Sequence, residues 1–385
     1  GYYGANFSNL NNLQYYSKKK GGKKLKKFQK IVLILILGLS LLLVTGCTKK
    51  ERLYVMNWAQ YMSKDVMKAF EKEYNVRIVE DIAESNELMY TRISTNAQPY
   101  DVMIPSDYMI DRLRQEGLLQ KIDFTKLENY SHDKFAPKVN ELLADTGLGE
   151  YAVPYFWGSL GIMYNKDKAG VEDAVKQHGW KVLFERNLLP EGTKVGMYYS
   201  SRDVIACAQM YLNIDFNSTA DADLEAAKNL LLQQNYDMWG TDDLKEAIAA
   251  KNLDVALVYS GDFFDTVYNY LYNDMEITFD MYVPTELNNV WFDSMVIPTT
   301  SKNPDLAHKF IDFFLEHENA LENAFEVGYC PSLQAVYEEM LLDEEIQVVV
   351  THPAYLPDEV NGVSYHYLGA DVSTKMDNIL NEVRK

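Results

Sequence analysis

Between Arg52 and Gly117 the chain passes repeatedly from a short apolar run to an amphipathic stretch. "RLYVMNW" leads into "SKDVMKAFEKEYN", "VRIVE" into "SNELMYTRIST", and "YDVMIPS" into "DYMIDRLRQEG". Short runs rich in β-branched and aromatic residues read as strands, and apolar residues three and four apart read as helices. This rhythm predicts an α/β fold with mostly parallel sheets covered by helices. A second set begins after "YAVPYFWGSLGIMYN": strand "TKVGMYY", helices "SRDVIACAQMYL", "DADLEAAKNLLLQQ" and "TDDLKEAIAAK", then strand "LDVALVYS". The run "VWFDSMVIP" precedes further helices, "PDLAHKFIDFFLEH", "ENALENAFEVG" and "LQAVYEEMLL". With 385 residues and 47% hydrophobic content, the chain has enough material for two packed domains.

Upstream of that pattern lies an address. Lysines from Lys23, an apolar run from Ile31 to Val44 and a small-residue exit make the three parts of a secretory signal over residues 25–46. The apolar run is too short for a comfortable membrane span. Its ending, Val44-Thr45-Gly46-Cys47, resembles the lipobox of bacterial lipoproteins, which implies that Cys47 is lipidated and becomes the mature first residue. An uncleaved anchor is the alternative. In both cases the rest of the chain is extracytoplasmic and tethered to the cell membrane, in a periplasm or on its outer face. Residues 1–24 fit no part of the signal. Gly21-Gly22 upstream of Leu25 reads as a translated ribosome-binding sequence, with Leu25 as the true start; a fusion or truncated upstream protein is the rival account.

Charge narrows the partners. The net charge of −19 understates the acidity beyond the signal, because residues 1–46 carry lysines and no acidic group. Such a field repels nucleic acid and attracts cations, although it also serves solubility alone. Cys207 and Cys330 remain once Cys47 is set aside. They could pair, but Cys207 lies in an apolar helical run and reads equally as a buried free thiol. With six scattered histidines and no CxxC or HExxH, neither a metal site nor a cofactor is expected.

In open α/β sheets the ligand-contacting residues lie just beyond the carboxyl ends of strands. Trp58 and Tyr61 follow the first strand, Ser106 and Tyr108 follow "YDVMIP", Asp203 follows "TKVGM", and Tyr259 and Asp262 follow "DVALV". Singly, Ser106 or Asp262 could be a helix cap and Trp58 or Tyr259 a core aromatic. In "VWFDSMVIP", alternation puts Trp291 and Asp293 on one face. A buried carboxylate needs a partner, yet no Lys or Arg lies between Lys251 and Lys302. The partner is then expected from outside the protein.

Aromatic faces with carboxylates and no nucleophile–base pair suit an organic cation, held by cation–π contact and charge-assisted hydrogen bonds. An anion would call for basic residues and glycine-rich helix starts, and Arg202 stands alone. Asp203, Asp262 and Asp293 could also form the carboxylate pair of a glycoside hydrolase, a weaker reading than binding.

The blocks "NWAQYMS", "ESNELMYTRI", "YDVMIPSDYMIDRLRQEGLLQKID", "VPYFWGSLGIMYN", "VWFDSMVIP" and "VGYCPS" resemble, in this order, the spermidine/putrescine-binding proteins of polyamine ABC importers. The resemblance runs from about Leu53 to the C-terminus. It implies a two-lobed periplasmic-binding-protein fold of type II with the ligand in the inter-lobe cleft, no catalysis, and a monomer that partners ABC permease subunits. Lobe one would be 53–154 plus 294–332, and lobe two 155–293 plus 333–385. Trp58 and Tyr61 match first-loop aromatics, Ser106 and Tyr108 the "PS-x-Y" contacts, and Asp203 an acidic residue of the second lobe. Tyr259 stands where a Trp is frequent, Asp262 matches an acidic residue of some members, Trp291 and Asp293 match "W-x-D", and Tyr329 matches the "GY" tyrosine. Ser200 replaces a second aspartate and Ala59 a common hydroxyl, which leaves the choice of amine open. A distal glutamine contact has no counterpart. Three acidic candidates against three ligand charges lead to the expectation that spermidine binds at least as tightly as putrescine. A receptor for another organic cation, or one without an importer, is the alternative.

Overall fold

Thirteen consecutive residues, Val153–Asn165, are all buried in the computed structural model, which describes residues 50–96 and 98–384. A strand buries both faces only when it has neighbours on its edges and layers above and below. This strand, β4, has both. Before it come β1 (Glu51–Asn57), β2 (Val76–Ile82) and β3 (Val102–Met103). After it come β5 (Val195–Tyr198), β6 (Met238–Gly240), β7 (Val255–Tyr259), β8 (Phe279–Tyr282), β9 (Asn288–Met295), β10 (Cys330–Pro331) and β11 (Gly362–Val363). Helices α1 (Lys64–Glu73), α2 (Asn86–Ser94), α3 (Asp107–Gln115) and α4 (Pro137–Thr146) precede β4. Helices α5 (Val171–His178), α6 (Ser201–Leu212), α7 (Asp221–Leu231), α8 (Asp242–Ala249) and α9 (Ser260–Tyr272) lie between β4 and β9. Beyond β9 are α10 (Pro304–Leu315), α11 (His317–Val327), α12 (Gln334–Met340), α13 (Gln347–Val350) and α14 (Ala370–Val383).

The strands form two sheets. One has the order β2-β1-β3, with β1 parallel to β3. The other runs β11-β9-β4-β7-β5-β6, with β8 and β10 also on β4. The expectation of mostly parallel sheets holds for β5, β6 and β7, but β4 is antiparallel to β7, β8, β9 and β10. The reason is connectivity. The chain passes out along β4 and returns along β9, so these two must run side by side in opposite directions. Beyond its pairing with β4, the end of β9 reaches the first sheet: Met103 and Val296 exchange backbone hydrogen bonds of 3.0 and 2.9 Å.

Alternation along β4 and β7 divides the apolar side chains between two cores. Leu160, Ile162, Tyr164, Val255 and Leu257 pack with Val175, Val204, Leu224 and Met376. Met163, Ala256 and Val258 face Ile248 and Phe263, in a core that continues to Val55, Val102 and Phe310 of the first sheet. Cys207 on α6 and Cys330 on β10 are buried free thiols, so the pairing alternative does not hold. No described helix is long and apolar enough to cross a membrane. The signal region 25–46, Cys47 and the upstream residues 1–24 lie outside the described residues.

The loop leaving β1 is held by a buried relay. Ser63 caps α1, its hydroxyl accepting from the Val66 N–H, and its own N–H donates to Asn323 Oδ1 at 2.8 Å. Asn323 Nδ2 donates to the Tyr155 hydroxyl at 2.7 Å, and that hydroxyl donates to the Tyr61 carbonyl at 2.7 Å. Asn323→Ala strands the Ser63 donor away from water, which is expected to cost about 1–3 kcal/mol. Urea unfolding checks this, and an unshifted midpoint would remove Asn323 as the anchor of the loop.

Candidate functional site

Strand alternation places Trp291 and Asp293 together, and β4 leaves room for the ring. Gly158 lies opposite Trp291, where a Cβ would come within 2.6 Å of the indole and 2.5 Å of Ser260 Oγ. The Trp291 ring meets Tyr259 and Tyr329 edge-on, each at 6.0 Å between centroids. Tyr329 in turn packs at 5.0 Å against Tyr61. Gly261 makes that position possible, since a Cβ there would fall 1.8 Å from the Tyr329 ring.

Asp293 is buried, at 6% exposure. The Tyr61 hydroxyl donates to its Oδ2 at 2.7 Å, while Oδ1 and the Trp291 Nε1 are buried without a hydrogen-bond partner. Burial raises its carboxyl to about 6, and the Tyr61 and Ser106 hydroxyls hold it from rising further. Ser106 stands at the N-cap of α3, yet its hydroxyl makes no capping bond. It accepts instead from Asn86 Nδ2 at 3.1 Å, and its backbone bridges to Asp293. The half-buried Trp58 donates through Nε1 to the Ile104 carbonyl at 2.7 Å, close in sequence to Ser106.

On the other side, Asp203 sits in the first turn of α6, which Ser200 caps. Its Oδ1 accepts from the Tyr259 hydroxyl at 2.5 Å and the Tyr365 hydroxyl at 3.0 Å. Burial raises its carboxyl; those hydroxyls, Ser200 and Arg202 oppose the rise. Arg202 lies behind, its guanidinium 4.0 Å over the Tyr365 ring and bonded to the Phe216 carbonyl. It supports the site wall and is not set to receive an anion. Tyr108 packs 6.3 Å from Tyr365 and donates to Glu87 Oε1 at 2.9 Å.

Asp262 departs from expectation. It does not cap α9, where Tyr259 holds the N-cap position, and it already has an internal cation. Lys245 Nζ lies 3.5 Å from Asp262 Oδ1 and 3.0 Å from Asp265 Oδ2. The same Oδ1 accepts from the Tyr329 hydroxyl at 3.1 Å. Three carboxylates awaiting three ligand charges is therefore not what the cleft presents.

Four participants escaped the sequence reading. Glu87 looked like an ordinary first-turn acid of a helix. It is reached by solvent but flanked by protein, so burial raises its carboxyl, with Asp203 adding to the effect. Asp107, in "PSDY", is buried and accepts from the Tyr108 and Phe292 N–H groups. Burial pushes it to about 8 and Asp293 adds to the rise, so ionising both neighbours together is disfavoured. Tyr365, near the far end of the chain, donates through its hydroxyl to Asp203 Oδ1. Lys245 was hidden by its separation from Asp262. Among the described residues no group of His, Cys, Asp and Glu is arranged to hold a metal ion. The arrangement offers aromatic walls, fixed acceptors and an unsatisfied buried carboxylate oxygen. It suits a cation with N–H donors.

Two sheets joined by crossing strands, with aromatic and acidic residues gathered where they meet, define a two-lobed periplasmic-binding-protein fold of type II. Residues 65–354 match the family described as bacterial extracellular solute-binding protein, and the chain belongs to that family. It is a binding protein and not an enzyme, which sets aside the hydrolase reading. The spermidine/putrescine-binding periplasmic protein of Salmonella typhimurium is 29% identical over 306 residues, covering 78% of this chain and 82% of its own. The spermidine/putrescine ABC transporter substrate-binding protein PotD of Streptococcus pneumoniae superposes with a TM-score of 0.70 at 28% identity, covering 87% of this chain and 100% of its own. The Tp0655 (TpPotD) lipoprotein of Treponema pallidum gives 0.71 at 26%, covering 87% and 99%.

A carboxyl raised from 3.8 to about 6 makes folding less favourable when ionised. The penalty is absent below about pH 4, grows up to pH 6 and is complete above it, at about 2–3 kcal/mol. Asp293→Asn keeps an acceptor for Tyr61 and removes the charge. The ligand-free variant is expected to be more stable than the parent at pH 7, with the advantage vanishing near pH 4. Urea unfolding across that range tests the sign; an advantage independent of pH would refute the cause.

Proposed function

We propose that this protein captures polyamines, putrescine and spermidine among them, in the cleft between its lobes and delivers them to the permease subunits of an ABC importer. Asp293 carries the reading. A buried carboxylate bonded only by neutral hydroxyls, beside the Trp291 ring and with one oxygen unpartnered, is complementary to an alkylammonium group. Tyr61, Tyr259 and Tyr329 line the path for a methylene chain, and Asp203, with Glu87 near it, offers charge for a second ammonium. The names of the Salmonella and Streptococcus relatives agree with this ligand class. Lobe one comprises residues 53–154 plus 294–332 and lobe two residues 155–293 plus 333–385, with β4 and β9 as crossings that let them close as a monomer.

Calorimetry with putrescine, spermidine, amino acids, sugars and inorganic anions tests the ligand class. The two amines should bind and the rest should not, and binding should weaken with added salt. Affinity should also fall as the pH drops below about 6, because an ammonium needs the ionised form of Asp293. Asp293→Asn should cost both amines about 1.5–3 kcal/mol. Unchanged affinity in the folded variant would remove Asp293 from the site.

The lipobox-like end of the leader supports anchoring through Cys47 on the outer side of the cell membrane. Metabolic labelling with a fatty-acid probe should mark the protein and miss Cys47→Ser. Equal labelling of both would end the anchor proposal.

A further inference from the structure

Lys245 is an ammonium group that the chain itself supplies to this row of carboxylates. It projects from α8, is only 9% exposed, and reaches Asp262 Oδ1 at 3.5 Å and Asp265 Oδ2 at 3.0 Å. The Asp262 oxygen it approaches is the one that also accepts from Tyr329, whose ring packs against Tyr61 and Trp291. Asp262 is thus joined to the aromatic cluster, but the oxygen aimed at that cluster already has two donors, one of them cationic. Asp293 and Asp203 are bonded by tyrosine hydroxyls, with no cation within ion-pair distance among the described residues. The cleft therefore holds two kinds of carboxylate: those bonded by neutral hydroxyls and one paired from within by Lys245.

Resting on the polyamine reading above, we propose that Lys245 determines specificity by occupying the position where a third ammonium would sit, so that the site favours a diamine over a triamine. A triamine extending to Asp262 would bring a like charge toward a buried lysine, and repulsion of a competing ligand is an ordinary route to selectivity. Asp265 is partly open to water and Asp242 is exposed, so solvent screens the negative charge they add. Lys245 keeps its proton. Burial pulls its pKa down, but the neighbouring Asp262 and Asp265 outweigh burial and the net direction is upward. The consequence reverses the simple charge count: putrescine should be preferred to spermidine.

The test is competitive calorimetry of putrescine and spermidine on the parent protein, Lys245→Met and Asp262→Asn. The parent should prefer putrescine, and Lys245→Met should raise the spermidine-to-putrescine affinity ratio by about tenfold or more, as the freed Asp262 accepts the third ammonium. A lysine with only a structural role would weaken both amines equally and leave that ratio unchanged, which overturns the proposal. Asp262→Asn provides a check that does not depend on the lysine variant folding. With Lys245 in place it should weaken the two amines by a similar factor, whereas selective loss of spermidine would mean that Asp262 serves the ligand directly. A parent protein that binds neither amine refutes the polyamine reading itself and is separable from every ratio.

Discussion

The antiparallel pairing of β4 with β9 is the constraint on which the remaining structure depends. Both strands are buried along their whole length, so neither can slip by one residue without turning its apolar set toward the wrong layer. That register sets Gly158 opposite Trp291 and brings Asp293 to the bridge with Ser106, where the second sheet meets the first. The neighbouring loops then have little freedom. Tyr61 is drawn in by Asp293 and held from behind by Tyr155 and Asn323, and Tyr329 closes over the gap that Gly261 leaves.

Placing a carboxylate at such a crossing works against the fold. Water is excluded, and tyrosine and serine hydroxyls return only part of the lost solvation. Asp107 lies close by, and burial together with Asp293 raises its carboxyl, which disfavours a second negative charge beside the first. Asp262 is relieved by Lys245 instead. The same problem, a buried carboxylate, has two solutions in one cleft, and only the first leaves a demand that a solute can meet.

Much of this was legible in the sequence because it is local. The strand–helix rhythm gave the α/β class, alternation put Trp291 beside Asp293, and strand exits pointed to Tyr61, Ser106, Tyr108, Asp203 and Tyr259 as candidates, which the fold brings into one network of contacts. What was hidden depends on segments distant in the chain. The antiparallel course of β4 follows from where β9 returns, which no window of residues records. Lys245 and Asp262 meet only because α8 and α9 pack together. Tyr365 reaches Asp203 from near the far end of the chain, and Asp107 could not be told from its neighbours in "PSDY" until its burial was known. Short-range periodicity reports which face a side chain takes, whereas the partner that neutralises it is a property of the assembled fold.

Four acids of the cleft are each held by a phenol: Asp293 by Tyr61, Asp262 by Tyr329, Asp203 by Tyr259 and Tyr365, and Glu87 by Tyr108. A phenol has few rotatable bonds, so the ordering of these acceptors is completed during folding and not at the moment of capture. An arriving cation meets acceptors whose local geometry within each lobe is already set. Encounter should then be quick and governed by the acidic field of the protein, while the lifetime of the complex falls to how readily the aromatic rings let the ligand leave. For a receptor that must both collect a scarce solute and surrender it, this puts selection at departure and leaves arrival nearly indiscriminate.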